Sequence, residues 1–194
     1  MLKLTVGLPA VAEDVRLVSA VRAAAPEAAL YLDANGGWPI EAARERVEAV
    51  VAFQPVLIEQ PLPPGHLAEL RKLQDQCGVP IFADEDGLTA RDVPRLWGVV
   101  RGVNVKLAKC GGIRQAVAMV HAARAAGLQV MLGCVVSSSL GLAPSVHLAG
   151  LADYLDLDGH LLLEHDPWAG LGTETRLVLS GEPGLGVRPT PTLR

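Results

Sequence analysis

The sequence predicts an α/β fold, a single (β/α) barrel domain of the TIM type over residues 1–194. Strand-like and helix-like segments alternate with a period of about 25 residues, which is typical of right-handed βα units around a parallel sheet. Three of the strand-like runs end on an acidic residue. The repeated units, with no stretch long enough to act as a domain linker, favour a barrel over an open doubly wound sheet, and the length of the chain favours one domain over two.

Seven short apolar runs have the composition of buried parallel strands. They are Leu2 to Val6, Leu30 to Asp33, Val56 to Glu59, Ile81 to Asp84, Gly102 to Lys106, Gln129 to Gly133 and Tyr154 to Leu157. A complete barrel has eight strands and about 250 residues. The sequence therefore predicts a barrel that is one strand short.

Six intervening segments carry apolar residues at helical spacing, several of them opening on acidic residues. They span residues 12–24, 39–53, 66–76, 90–98, 113–127 and 140–152. The sequence from residue 167 to residue 194 is rich in Gly and Pro and predicts an irregular C-terminal tail.

Composition excludes some classes of partner. The chain is 50% hydrophobic, and its 17 basic and 21 acidic residues give a net charge of −4. It offers no basic surplus for nucleic acid or for an anionic membrane, and no apolar run is long enough to span a bilayer. Three cysteines outside any paired motif, with no secretory signal, predict a cytoplasmic protein that acts on a small molecule.

The three strand-end acids predict a metal site. Asp33, Glu59 and Asp84 are 26 and 25 residues apart, one βα unit each, so they fall on consecutive strands at the face where barrels hold their active sites. Adjacent strands are about 4.8 Å apart, which lets three acids reach one cation. A set of carboxylates suits Mg²⁺, with Mn²⁺ as the alternative. Taken singly, each acid is better explained as a helix cap or a turn residue, and it is their spacing together with the lysine that ends the next strand that favours the metal site.

The next strand ends on Lys106, 22 residues after Asp84. A neighbouring divalent cation would disfavour the ammonium form and lower its pKa towards that of a general base. A cation that binds a substrate carboxylate, beside a lysine that removes the α-proton, makes an enolisation site in which the cation stabilises the enediolate. Lys109 is interpreted as a solvated turn residue.

Four motifs in this order, "LDANGGW", "IEQPLP", "ADE" and "NVKLAKCGG", resemble the barrel of the enolase superfamily, muconate-lactonizing branch. The resemblance covers nearly the whole chain and implies that Asp33, Glu59 and Asp84 bind Mg²⁺. It also implies that Lys106 is one of two acid/base lysines. Relatives carry a capping domain and a first barrel strand, so this chain would correspond to strands two to eight.

Within that branch, "DYLDLDGHLLLEHDP" and "GEPGLGV" look most like dipeptide epimerases. The resemblance implies that Asp156 and Asp158 hold the ammonium group of a dipeptide or amino acid derivative and that Ser137 faces the substrate. Two carboxylates two residues apart on a strand point the same way and can pair one amine. The alternative interpretation is that the two acids cap the following loop.

One position departs from the family pattern. Relatives carry a Lys-x-Lys pair on the second barrel strand, whereas this chain has Lys3 and Thr5 in "LKLTVG". A threonine hydroxyl is not a base near neutral pH without an activating partner. We expect Lys106 to exchange an α-proton from one face without inversion, with Lys3 as the candidate substitute for the second base.

The sequence therefore supports an isomerase, an Mg²⁺-dependent racemase or epimerase of the dipeptide epimerase kind. N-acylamino acid racemases, o-succinylbenzoate synthases and muconate cycloisomerases are alternatives on the same fold. A hypothesis of another class is a non-catalytic barrel remnant, favoured by Thr5 and by the missing strand. The two sheet edges left by that strand predict pairing with a separate N-terminal part or with a second copy of the chain.

Overall fold

A computed structural model describes residues 1–173 and 176–190. Its core is one seven-stranded parallel sheet in which strand order follows chain order. The strands are β1 (Leu2–Thr5), β2 (Leu30–Asp33), β3 (Leu57–Glu59), β4 (Ile81–Ala83), β5 (Gly102–Lys106), β6 (Gln129–Gly133) and β7 (Tyr154–Asp156). All seven predicted strands are found, and no bound differs by more than one residue.

Helices connect successive strands. They are α1 (Val11–Ala24), α2 (Ala43–Val51), α3 (Leu67–Gln76), α4 (Val93–Leu96), α5 (Leu107–Cys110), α6 (Ile113–Ala125) and α7 (Ser139–His147), with 3-10 turns at Ile40–Ala42 and Ala149–Leu151. The sequence predicted all of them except α5, which begins directly after the last residue of β5, with no turn residue to separate the two elements. None of the helices in residues 1–173 and 176–190 is long and apolar enough to cross a membrane.

The middle strands of the sheet, β2 to β6, are largely buried on both faces, as their unbroken apolar runs require, whereas the edge strands β1 and β7 are partly exposed. Every residue of β2 and β5 is buried. The outward-facing side chains pack against the helices in one large cluster, in which Leu32, Ile58 and Val105 are fully buried. The inward-facing side chains at the amino ends of the strands form a second, smaller cluster.

Aromatic contacts show that the sheet curls around an interior. The ring of Tyr154 on β7 meets Tyr31 on β2 edge to face at 5.8 Å and Phe82 on β4 at 5.4 Å. Side chains from strands so far apart in the sheet can meet only inside a closed or nearly closed barrel. Gly102 makes room for Phe82, because a Cβ there would lie 2.7 Å from the ring carbon Cδ1.

The barrel is nearly closed. Within the described residues, β1 pairs with β2 and β7 with β6, and no backbone ladder joins β1 to β7. The side chains of Lys3 and Asp156 meet across this gap at 2.7 Å. The predicted fold class, a (β/α) barrel one strand short, is confirmed.

The end of the chain is more regular than predicted. Residues 167–173 and 176–190 contain two short antiparallel ribbons in an otherwise irregular stretch, where an irregular tail was expected from residue 167 to residue 194. The first pairs β8 (Trp168–Ala169) with β11 (Arg188–Pro189), and the second pairs β9 (Gly172–Thr173) with β10 (Arg176–Leu177). Strands of two residues leave no periodic pattern in a sequence. Residues 174–175 and 191–194 of the predicted tail lie outside the described residues.

Candidate active site

The carboxyl ends of the strands bring acidic and basic side chains into one cluster inside the barrel. Parallel register aligns Asp33 on β2 with Glu59 on β3, and Asp84 follows the last residue of β4. Asp33, Glu59 and Asp84 are 4%, 0% and 1% exposed. The structure thus places the three acids on consecutive strands, as their spacing predicted.

Lys3 lies at the centre of the cluster. Its Nζ is 2.9 Å from Asp33 Oδ2, 2.8 Å from Glu59 Oε2 and 2.7 Å from Asp156 Oδ2. Burial disfavours the charged amine, but the carboxylates of Glu59, Asp156 and Asp33 outweigh it and raise the pKa of Lys3 above its usual value. Lys3 is therefore an ammonium cation shared by acids from three strands.

Lys106 plays a similar part on the other side of Glu59. Its Nζ is 2.6 Å from Asp84 Oδ2 and 3.6 Å from Glu59 Oε1. Burial opposes its charge, but Glu59 and Asp84 raise the pKa of Lys106 above its usual value. The lowered pKa expected from the sequence depends on a divalent cation between these acids, whereas carboxylates alone shift it upward.

Lys109 was wrongly interpreted as a solvated turn residue. Its Nζ lies 2.7 Å from Asp84 Oδ1 and 2.8 Å from Asp84 Oδ2, and its side chain is 29% exposed. The unpredicted helix α5 is the reason, because one helical turn after Lys106 carries Lys109 back over the end of β4. Together Lys106 and Lys109 outweigh the effect of burial and lower the pKa of Asp84.

Glu59 is the most enclosed of the acids and has a neutral partner that sequence reasoning missed. The side-chain Nδ2 of Asn104 donates to Glu59 Oε1 at 2.6 Å. Glu59 Oε2 has no hydrogen bond of good geometry within the described residues. Burial raises the pKa of Glu59 despite the nearby Lys3 and Lys106. Strand alternation could have found Asn104, since residues 104 and 106 of β5 point the same way.

The donor set fits a hard divalent cation. Asp33, Glu59 and Asp84 supply only oxygen, which is the ligand type that Mg²⁺ prefers, and among the described residues the buried Glu59 Oε2 is held only by its ion pair with Lys3 at 2.8 Å. In the described part of the chain no three such side chains converge on a metal position as they stand, since Lys3 and Lys106 lie between them. A metal at these acids requires the two ammonium groups to withdraw.

The residues expected to contact substrate separate in the structure. Asp156 is buried in the cluster, whereas Asp158 is exposed and lies 4.0 Å from Cys134 Sγ. Because β7 ends at Asp156, strand alternation does not extend to Asp158. Ser137 is half-buried in the loop after β6, and its N–H donates to Gly159 O at 3.4 Å.

Two further positions bear on the predicted site. Thr5 is exposed and pairs in register with Asp33. It lies two residues after Lys3 on β1, nearer the carboxyl end of the strand. The backbone N–H of Asn35 donates to Asp33 Oδ1 at 2.9 Å, so the loop after β2 orients that carboxylate. Thr5 thus stands at the mouth of the cluster, where a longer side chain would overhang the acids.

Similar curated proteins include epimerases. An L-Ala-D/L-amino acid epimerase of Pedosphaera parvula is 39% identical over 193 residues, which cover 97% of this chain and 55% of that protein. A hydrophobic dipeptide epimerase of Roseobacter litoralis is 39% identical over 192 residues, covering 95% of this chain and 55% of that protein. The chain therefore spans about half the length of these relatives.

Solved structures show the same similarity. The dipeptide epimerase of Enterococcus faecalis, complexed with Mg and the dipeptide L-Leu-L-Tyr, matches with a TM-score of 0.88 and 32% identity. The match covers 95% of this chain and 55% of that chain. A family model described as enolase C-terminal domain-like matches residues 1–193. The chain belongs to the enolase C-terminal domain-like family.

Proposed function

We propose that this barrel abstracts the α-proton of a carboxylate substrate in an Mg²⁺-dependent, dipeptide epimerase-like reaction. One observation carries the proposal: the amines of Lys106 and Lys3 lie among the carboxylates at consecutive strand ends, with Lys106 2.6 Å from Asp84 and Lys3 2.8 Å from Glu59. Acids able to hold a cation and amines able to move a proton thus share one buried space.

Asp33, Glu59 and Asp84 would hold the Mg²⁺, with Mn²⁺ as the alternative. When bound, the cation supplies positive charge that stabilises the enolised form of a substrate carboxylate. The protein's own contribution is to fix the three acids. The backbone N–H of Asn35 holds Asp33, Asn104 holds Glu59, and Lys109 donates to both oxygens of Asp84.

Lys106 would act as the base. As a free amine it takes the proton from the α-carbon, and the electrons of the broken C–H bond pass into the substrate carboxylate. Return of a proton from the Lys106 ammonium restores the substrate with its original configuration. Lys3 is the second candidate acid/base group, although it lies two residues before Thr5 on β1 and therefore deeper in the barrel.

Asp156 would bind the ammonium group of a dipeptide or other amino acid derivative. In the structure its Oδ2 already accepts a hydrogen bond from a primary ammonium, that of Lys3, at 2.7 Å. Asp158 and Ser137 lie on the loops above it and would contact the rest of the substrate. N-acylamino acids lack the free amine, so they give this carboxylate no cation to bind.

A non-catalytic role is the second candidate, and Thr5 favours it. Inversion requires an acid/base group on each face of the α-carbon, and the exposed hydroxyl of Thr5 does not supply one. On this hypothesis the barrel keeps its acids and binds a cation without performing proton transfer.

Deuterium exchange distinguishes the two. The purified chain is incubated in heavy water with Mg²⁺ and L-Ala-L-Glu or L-Leu-L-Tyr, and deuterium at the α-carbons is followed by NMR together with configuration. We expect Mg²⁺-dependent uptake without inversion, abolished in Lys106→Ala and kept in Lys72→Ala, a control at an exposed lysine of α3. Uptake that survives in Lys106→Ala refutes the assignment of the base, and no uptake with either dipeptide favours the non-catalytic role.

A further inference from the structure

The structure assigns a positioning role to Asn104: with the space left by Gly133, its amide fixes the Glu59 carboxylate in the orientation required for cation binding. Glu59 has three side-chain torsions, and no other neutral side chain among the described residues hydrogen-bonds it. The inference deepens the proposed function and rests on it for the metal, but the geometry of the amide is independent of the metal.

Asn104 is built into the barrel interior. It is 1% exposed and reaches from β5 across β4 to Glu59 on β3, where Nδ2 donates at 2.6 Å to Oε1. This donor holds one carboxylate oxygen, so the other, Oε2, faces Lys3 at the centre of the cluster. A neutral donor can stay in place when a cation arrives, whereas the ammonium groups of Lys3 and Lys106 would be repelled by it.

Gly133 makes the position of the amide possible. A Cβ on Gly133 would meet Asn104, at 2.6 Å from Nδ2 and 2.9 Å from Cγ. Real Cβ atoms do not approach so closely, so alanine at this position must displace the amide from the position in which it donates to Glu59. The backbone of Gly133 is otherwise compatible with alanine, since its φ is not in the left-handed region.

Asn104 Oδ1 is buried without a hydrogen-bond partner in the described part of the chain. A buried acceptor left unpaired costs stability, so it needs a reason. An apolar side chain of the same size could fill the space without this loss of stability. The presence of an amide instead is what a positioning role predicts. Residues that orient a metal ligand typically contribute a factor of about 10 to 100 in metal affinity.

The test measures Mn²⁺ and Mg²⁺ binding to the purified chain by titration calorimetry. Asn104→Leu and Asn104→Ala remove the donor, and Gly133→Ala displaces it. We expect each to raise the metal dissociation constant about 10- to 100-fold. The double variant Asn104→Ala/Gly133→Ala should bind no more weakly than Asn104→Ala alone, because Gly133→Ala acts through the amide.

A buried amide elsewhere provides the matched control. Gln74 is 6% exposed and bonds Ile81 N and Val79 O at the amino end of β4, away from the cluster. Gln74→Leu should lower the unfolding midpoint and leave metal affinity unchanged. Losses of affinity that simply add in the double variant, or an Asn104→Leu variant with wild-type affinity, would overturn the inference.

A metal-free measurement separates this inference from the proposed function. Crystal structures of the wild type and of Asn104→Leu, both without metal, should show the Glu59 carboxylate in different rotamers. An unchanged Glu59 rotamer refutes the positioning role whatever the metal affinity. A wild type that binds neither Mn²⁺ nor Mg²⁺ refutes the proposed function, while the rotamer comparison still decides the role of Asn104. If Asn104→Leu does not fold, Gly133→Ala serves for the same comparison.

Discussion

Arg46 and Asp14 form a buried ion pair in which Nη1 donates to Oδ2 at 2.7 Å, and their side chains are 3% and 0% exposed. The pair also binds the backbone of residues 7–9, the loop that follows β1. Arg46 donates to the carbonyls of Leu8 and Pro9, and Asp14 Oδ1 accepts the N–H groups of Gly7 and Leu8. The carboxyl end of the strand that carries Lys3 is thereby fixed to α1 and α2.

Arg46→Met should destabilise the fold by about 3–5 kcal/mol, because it leaves Asp14 as a buried charge without its partner. Urea unfolding of the two proteins measures the difference. Arg44→Met is the matched control, since Arg44 pairs with Glu48 on the exposed face of α2 and its replacement should leave stability nearly unchanged. If the two substitutions lower the unfolding free energy equally, the buried ion pair contributes no more to stability than the exposed one.

Mg²⁺ or Mn²⁺ should raise the thermal unfolding midpoint. A ligand that binds only the folded state adds about 2.7 kcal/mol at a hundred times its dissociation constant. Glu59→Gln should lose this increase, because an amide replaces the most buried of the three acids. Glu48→Gln, at an exposed acid of α2, should keep it. A shift of the same size in Glu59→Gln would place the bound cation elsewhere.

Thr5→Lys should add inversion to proton exchange. Thr5 is exposed and lies opposite Asp33 in the β1–β2 register, so a lysine there can reach above the acids from the face opposite Lys106. With Mg²⁺ and a dipeptide that the wild type deuterates, chiral chromatography should detect the second epimer only in the variant. Thr5→Met has similar length but no amine and serves as the control; inversion by Thr5→Met would mean that the amine is not responsible.

Stability should fall in acid through Asp166. Burial works against its charge, but Ser139, which donates through its hydroxyl at 2.6 Å and its N–H at 2.8 Å, and the N–H of Trp168 hold the pKa of Asp166 below its usual value. A lowered folded-state pKa gives stability that is present above about pH 4, the unfolded value, and is lost as pH falls through the folded pKa.

Asp166→Asn should therefore cost no more than about 1 kcal/mol at pH 7, because solvent screens this partly exposed carboxylate, and the difference from wild type should shrink as pH falls below about 4. Unfolding in urea at several pH values from 7 to about 2.5 measures this. Glu164→Gln, at an exposed carboxylate close by, is the control. If the difference in unfolding free energy between wild type and Asp166→Asn stays constant across this pH range, the effect comes from the packing of the side chain and not from its charge.

The sequence predicted the barrel because parallel strands buried on both faces leave unbroken apolar runs, and because Asp33, Glu59 and Asp84 recur at the spacing of one βα unit. It did not predict α5, since no turn residue separates that helix from the end of β5. The position of Lys109 depends on α5 and was missed for that reason. Asn104 contacts Glu59 on β3, and Gly133 lies against Asn104 from β6. Such distances between side chains of different strands cannot be read from residue spacing in the sequence.

The direction of the pKa shift of Lys106 in the metal-free cluster could not be predicted from the sequence either. Reasoning from Lys106 alone required a divalent cation to set its pKa, whereas the structure shows carboxylates as its nearest neighbours. The burial of Asp156 beside Lys3 could not be read from its two-residue distance to Asp158, because β7 ends between them. Charge pairing across the interior depends on where each strand stops.

The pairing of Lys3 with Asp156 across the gap has a mechanical consequence. Among the described residues β1 is bonded to one neighbouring strand, and sheet edges are where local opening needs the least free energy. If β1 separates from β2, three carboxylates lose their shared ammonium at the same moment and repel one another. The edge strand β1 is thus held in place partly by the ion pairs of Lys3. Separation of β1 from the sheet and disruption of the charged cluster therefore occur together.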